Sequence, residues 1–497
     1  MKKVTLAHDK PRCACGIFGI YDHPQASLLT YYGLHALQHR GQEASGIVAC
    51  EEDEARSKKH FNLLKGLGLV TDVFKDYSVL QNTLKGTSAI GHNRYSTAGS
   101  ANNKFNIQPF VVNYRNGNMA LAHNGNLTNF RSLRAELQDE GTIFQTTSDS
   151  EIVLHLIARS KQQNQIDQIR EALNRIEGAF SLLILTDTTL IAARDAHGFR
   201  PLALGKKDGC YIVASETCAF DIIDAEYIRD IEPGEILVID RKVTTDDALT
   251  SFRLDRMSPT SHHCIFEFIY FSRPDSSIFE DSVDKVRRKL GKALAQEAPV
   301  RPDPGEKTIV ISVPDSSNTA TLGYVSECNK QGIAAKMEIG LIRNHYVGRT
   351  FIQPEQKQRE MKVKTKYSIV KGVLKGRKVV VVDDSIVRGT TSKQLVKLLK
   401  QAEPKEIHFR ITSPPIVNAC HYGMDFPSRK ELIAVQCDGD IEKIRQELGV
   451  DSIHYLSMEK MIGSVPSGPT KHYCTACFGG QYPTPVERTG DKNELEV

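Results

Sequence analysis

Four consecutive valines, Val379–Val382, run straight into two acids, Asp383 and Asp384, and no other stretch constrains this chain as tightly. A β-branched run without polar alternation predicts a strand covered on both faces, as in a parallel sheet. Beyond the acids, Gly389, Thr390, Thr391 and Ser392 are small or carry hydroxyls, and Leu395, Val396, Leu398 and Leu399 then recur at helical spacing. The stretch therefore reads as strand, acidic loop, helix. Such a loop turns backbone N–H groups and a helix N-terminus toward an anion. The two carboxylates repel phosphate and suit sugar hydroxyls or a cation. A ribose 5-phosphate, with its phosphate at one end and a diol beside it, satisfies both halves of the loop. For two acids alone, an ordinary βα turn with an acidic N-cap is the plainer account.

With 497 residues the chain is expected to hold two or more domains. Its net charge of +4 calls for neither nucleic acid nor a membrane surface as partner. No apolar run is long enough to span a bilayer. The leader MKKVTLAHDKPRCA lacks an apolar core, so a secretory signal is not expected. Eleven cysteines, an odd number in a large chain without such a signal, fit a reducing cytoplasm in which thiols serve chemistry or metal.

The N-terminal half carries Cys15-Gly16-Ile17-Phe18-Gly19-Ile20, which reads as the start of a strand. A lone cysteine there is most simply a small buried hydrophobe. Three later strings change that weighting. His39–Gly46 is a glycine-bearing turn containing Arg40, Gly91–Thr97 ends an apolar stretch with Arg94, and Leu121–Leu127 contains Asn124 and Gly125. Together they supply a nucleophile, an arginine suited to bidentate carboxylate recognition, and an amide that with a backbone N–H can stabilise an oxyanion. Asp149, before the apolar helix SEIVLHLIARS, reads as an N-cap or as the partner of an ammonium, the cap being the simpler role. GAFSLLILTDTTLIAARD reads as two strands around a turn, and Cys50, Cys210 and Cys218 as core or surface thiols.

A polar stretch, Asp246–His263, marks the passage to the second half. There SVDKVRRKLGKALAQEA reads as an amphipathic helix with Val283, Val286, Leu290 and Leu294 near one face. Lys307–Val313 reads as a strand entering Pro314-Asp315-Ser316-Ser317, where Ser316 alone could be a helix N-cap. Leu341–Pro354 is a basic loop with one glycine, containing Arg343, Tyr346 and Arg349. Near the C-terminus Cys474 and Cys477 form a CxxC, and Cys264 and Cys420 stand in distinctive strings of their own. Four thiolates hold a [4Fe–4S] cluster or a structural zinc equally well. Cys328 and Cys437 read as structural.

These strings carry resemblances. The segment from Cys15 to Phe252 resembles the class II glutamine amidotransferases, which implies an α+β N-terminal nucleophile (αββα) domain. By that resemblance residues 1–14 are a propeptide, and Cys15 becomes the N-terminal nucleophile with its own α-amine as base. Arg94 would then bind the glutamine α-carboxylate and Asp149 its α-amine, Asn124 and Gly125 would form the oxyanion hole, and Arg40 would lie at the pocket edge. The pattern Cys-Gly-Ile-Phe-Gly-Ile selects Cys15, although Cys13 sits two residues before it.

The segment 253–485 resembles the α/β type I phosphoribosyltransferases. This implies that Asp383 and Asp384 hold the ribose hydroxyls of PRPP and that Val387, Arg388, Gly389, Thr390 and Thr391 take its 5′-phosphate. One Mg²⁺ per subunit would rest on Ser316, Asp383 and Asp384, and Tyr346 would lie on a loop closing over PRPP. Residues 486–497 read as a mobile tail. Cys264, Cys420, Cys474 and Cys477 match the cluster ligands of the iron–sulfur-containing branch of the glutamine phosphoribosylpyrophosphate amidotransferases, which favours one [4Fe–4S] cluster per subunit over zinc. Over nearly the whole chain the resemblance implies transfer of glutamine amide nitrogen to PRPP, a homotetramer, and inhibition by AMP or GMP. Three rival readings compete with it. Another class II amidotransferase would need no PRPP loop, a nucleotide-responsive regulator would leave Cys15 idle, and an iron–sulfur electron carrier would need no glutamine pocket.

Overall fold

The structure is a computed structural model and describes residues 15–53, 58–95, 103–243, 245–344, 367–424, 426 and 428–486. In the first half two antiparallel sheets lie face to face. One has seven strands, in the order Glu226–Asp230, Ala203–Lys207, Cys210–Ala214, Gly16–Ile20, Ser88–Arg94, Ala44–Asp53 and Lys58–Leu67. The other has six, in the order Thr250–Arg253, Glu235–Asp240, Thr189–Arg194, Gly178–Thr186, Gly117–Leu127 and Phe110–Tyr114. Alternate side chains of each strand point to opposite faces, so each sheet feeds two cores. Ile17, Val48 and Ile90 of one sheet pack on Ala120, Leu183 and Leu185 of the other. On the outer faces Phe18 and Ile47 meet Leu34 of the helix Ala26–Ala36, while Leu121 and Leu182 meet Ile152 and Leu156 of the helix Ser150–Arg159. The result is helix, sheet, sheet, helix, as the nucleophile-fold resemblance implies.

The second half is built on a five-stranded parallel sheet, in the order Ala335–Met337, Thr308–Ser312, Lys378–Asp383, Glu406–Ile411 and Ser452–Tyr455. The valine run is its central strand. Val380 and Val382 enter one core with the helices Val283–Glu297 and Asn318–Lys330, and Val379 and Val381 enter the other with Thr390–Lys400 and Ile441–Leu448. Burial on both faces is what removed polar alternation from this strand. The helix Val283–Glu297 starts where the Ser282 hydroxyl accepts the Lys285 N–H at 3.4 Å, a cap worth about 1 kcal/mol.

The passage between the halves differs from the expected linker. Thr250–Arg253 is an edge strand on Glu235–Asp240, and Leu254 is buried in the first core, so the chain leaves that domain after residue 254. An edge strand with mostly exposed side chains needs no apolar alternation, so its sequence resembles a loop. Beyond it Ser261–Cys264 pairs in parallel with Lys471–Cys474, setting Cys264 opposite Cys474. The end of the chain thus returns to the junction. Among the described residues no helix is long and apolar enough to cross a membrane. The propeptide with Cys13, the loop residues Tyr346 and Arg349, and all but the first residue of the expected tail lie outside the described residues.

Candidate active sites

Cys15 immediately precedes the strand Gly16–Ile20, whose antiparallel neighbour Ser88–Arg94 brings Arg94 and Tyr95 alongside. The Cys15 thiol donates to the Tyr95 carbonyl and its sulfur accepts the Tyr95 N–H, both at 3.4 Å. Burial pushes this thiol up to about 11, against the lowering effects of the Tyr95 hydrogen bond and of Arg94. Such a thiol needs a base before it can attack. Arg94 is 4 % exposed and close enough to act on the thiol electrostatically, as is Asp149.

Asn124 lies near the end of the strand Gly117–Leu127, fully buried. Among the described residues neither its amide nitrogen nor its oxygen has a hydrogen-bond partner. A buried unpaired amide costs about 1–3 kcal/mol, so the position is built for a group that arrives later. Gly125 follows, and a Cβ there would stand 2.0 Å from the Ala179 carbonyl oxygen. Asp149 occupies the N-cap position of Ser150–Arg159 without capping it. Its carboxylate instead accepts the Leu127 N–H at 2.9 Å and lies 3.9 Å from His123, so it is tied to the strand that carries Asn124.

Arg40 does not fit its expected place at the pocket edge. Its guanidinium is 1 % exposed and already engaged, with Nε donating to the Cys15 carbonyl at 3.1 Å and the other nitrogens held by Glu216 and Glu267. It reaches the nucleophile's backbone, and four of its five N–H donors are already committed.

In the second half the acids stand at the C-terminal edge of the parallel sheet, where open α/β sheets bind ligands. Asp383 and Asp384 are 3 % and 1 % exposed. The Ser316 hydroxyl donates to Asp384 at 2.6 Å and the Ser317 hydroxyl to Asp383 at 3.4 Å, so the loop after Thr308–Ser312 meets the loop after the valines. Gly389 adopts φ 76° at the start of Thr390–Lys400, and a Cβ there would strike Ile433 at 2.4 Å. Glycine thus fits both the left-handed turn and the close approach. Val387 buries its side chain in the core, and its carbonyl accepts from the Ile433 N–H. Arg388 donates to Glu431 at 2.9 Å, and Arg343 pairs with Asp315 at 3.0 Å.

Three segments bring four thiols together. Cys264 and Cys474 are cross-strand partners, the Cys477 carbonyl accepts from Val417 and Asn418 N–H, and the Cys420 sulfur accepts from Tyr422 N–H at 3.3 Å. Burial raises Cys264 to about 12 and pushes Cys474 and Cys477 up too, with Cys420 adding to all three and Cys264 to Cys474 and Cys477. Among the described residues no three His, Cys, Asp or Glu side chains are grouped as a single metal ion requires.

Sequence reasoning missed a buried ionic cluster joining the two halves. Arg40, Arg200, Glu216 and Glu267 are each no more than 1 % exposed. Burial alone would raise the Glu267 carboxyl, yet Arg40 and Arg200 hold it below its ordinary value. The local signal was a lone acid inside the aromatic run CIFEFIYF, but its partner Arg40 is 227 residues away.

Comparison with known proteins agrees with this geometry. A family model described as a glutamine amidotransferase domain matches residues 92–221. A chloroplastic amidophosphoribosyltransferase of Vigna aconitifolia is 48% identical over 96% of this chain and 93% of its own length. A Bacillus subtilis amidophosphoribosyltransferase is 46% identical over 95% of this chain and 94% of its own. A solved structure of the glutamine PRPP amidotransferase from B. subtilis, complexed with ADP and GMP, matches with a TM-score of 0.85 at 44% identity, covering 97% of this chain and 100% of that one.

Proposed function

The chain belongs to the amidophosphoribosyltransferase family, and from that premise we propose how its residues divide the work. The enzyme transfers the glutamine amide nitrogen to PRPP, giving 5-phosphoribosylamine, glutamate and pyrophosphate, the first committed step of purine synthesis. In our reading the Cys15 sulfur attacks the glutamine amide carbon after losing its proton to the α-amine that removal of residues 1–14 exposes. Asn124 and the Gly125 N–H receive the oxyanion, ammonia leaves, and water hydrolyses the thioester to glutamate. Arg94 takes the α-carboxylate of glutamine and Asp149 its α-amine. Ammonia passes internally and attacks the anomeric carbon of PRPP as pyrophosphate departs.

On the transferase side Asp383 and Asp384 take the ribose hydroxyls, and the turn Val387–Thr391 takes the 5′-phosphate. Mg²⁺ riding on PRPP fits beside Ser316, Asp383 and Asp384, where it would offset pyrophosphate charge. The observation that carries the whole reading is the unpartnered, buried Asn124 amide in the same chain as the Asp383–Asp384–Ser316 cluster. The decisive assay supplies glutamine and PRPP and follows glutamate and pyrophosphate together. Equal release of both is expected, and glutamate alone or pyrophosphate alone overturns it. Asn124→Ala should slow glutamine-driven synthesis by about 10²–10³-fold while ammonium-driven synthesis holds.

The four thiols, in this proposal, hold a [4Fe–4S] cluster with a structural role, fastening the returning C-terminal segment to the junction. Iron and sulfide at about four each per chain are expected on analysis, with Cys474→Ser losing both. Stoichiometric zinc in their place defeats this assignment. AMP and GMP are proposed as inhibitors; GMP is named, with ADP, in the B. subtilis complex. A homotetramer in a reducing, cytoplasmic compartment completes the reading, and sedimentation at the mass of one chain would contradict the assembly.

A further inference from the structure

We propose that Glu267, supplied by the transferase half, is a positioning residue for the glutaminase reaction, aiming Arg40 at the Cys15 carbonyl and seating Gly423 on Gly125 by way of Arg200. The inference rests on the reading of Cys15 as nucleophile and adds to it a residue from the other domain.

The geometry begins with a bidentate pair. Arg40 Nη2 donates to Glu267 Oε1 at 2.7 Å and Nη1 to Oε2 at 3.0 Å. A guanidinium is planar, so fixing both Nη atoms fixes the direction of Nε. That Nε donates to the Cys15 carbonyl at 3.1 Å. Glu216 secures the same guanidinium from the first half, and is itself held by His39, Arg273 N–H and Ser276.

The second arm starts from the same carboxylate. Arg200 Nη1 donates to Glu267 Oε1 at 3.0 Å, and Arg200 Nε and Nη2 donate to the Tyr422 carbonyl at 3.0 and 2.7 Å. The next residue, Gly423, lies against the oxyanion strand, for a Cβ on it would come within 3.0 Å of the Gly125 carbonyl carbon. Asn126 closes the contact by donating to the His421 carbonyl at 3.0 Å. One carboxylate thus stands between the nucleophile and the proposed oxyanion site.

Stability alone is a weak account of this cluster. Burying four charges carries a desolvation cost that apolar residues of similar volume would avoid. Its arms end on Cys15 and Gly125, the two backbone groups whose relative placement the proposed reaction uses. Glu267 also opens a π-helical turn, Glu267–Phe271, a local geometry frequent at functional sites.

The test uses the full chain and both nitrogen sources. Glu267→Gln keeps the shape and removes the charge. Its kcat with glutamine should fall about 30-fold or more, with KM for glutamine within about threefold and ammonium-driven kcat within about twofold. A merely structural role lowers both nitrogen sources together, and that result overturns the proposal, as does an unchanged glutamine rate. If Glu267→Gln does not fold, Arg40→Lys decides, since it keeps a cation between Glu216 and Glu267 but has no Nε for the Cys15 carbonyl. The same split supports the proposal and an unchanged ratio overturns it. Cys15→Ser is run alongside, so a wrong nucleophile shows itself separately by retained glutamine use.

Discussion

Cys15→Ser loses glutamine-driven synthesis by more than about 10³-fold and keeps ammonium-driven synthesis within about twofold. The loss is large because a hydroxyl is a far poorer nucleophile than a thiolate, and because this site already holds its sulfur protonated, at about 11. A serine in the same burial needs still more help from the base. The α-amine has an ordinary pKa of about 7.7, so glutamine-driven kcat/KM should fall as pH drops through that value while the amine takes up a proton. Intact mass of the purified chain belongs with this experiment. A chain beginning at Cys15 agrees with the amine as base. One beginning at Cys13 moves the nucleophile, and an uncut chain active with glutamine removes the mechanism. Loss of both activities in Cys15→Ser counts against two separable sites.

The second large effect lies in the other half. Asp383→Asn with Asp384→Asn should abolish synthesis from glutamine and ammonium alike, by about 10³-fold or more. Asn matches Asp in shape, so the Ser316 hydroxyl keeps an acceptor at position 384 and the fold is expected to persist. What disappears is the negative charge on two groups that are almost wholly buried beside the sheet edge. A cation and a ribose diol lose their counterpart together. Circular dichroism and melting serve as the control. Synthesis retained from ammonium would end the PRPP assignment.

How much of this was legible in the residues depends on the distance over which each signal acts. Val379–Val382 declared a strand covered on both sides because burial acts on every side chain of a parallel strand, and the two cores bear this out. Cys15, Arg94 and Asn124 stood out through short strings, and the sheets bring their strands to one place. Thr250–Arg253 was hidden because an edge strand answers to one neighbour only. Asp149 looked like a cap because the cap position is local, whereas its carboxylate follows Leu127, 22 residues back. Arg40 was misplaced for the same reason. Its partners Glu216 and Glu267 are 176 and 227 residues away, beyond any periodicity or motif.

The pairing of Ser261–Cys264 with Lys471–Cys474 also bears on how the chain is made. Ser261 and its partner Thr470 are 209 residues apart. At about 5–20 residues per second the ribosome needs roughly 10–40 s to deliver the second strand after the first. Through that interval Ser261–Cys264 is an unpaired strand edge followed by the aromatic segment Ile265–Phe271. Open edges with apolar neighbours attract other chains. During synthesis the seam between the two halves therefore stays open until Lys471–Cys474, the last strand among the described residues, emerges to cover it.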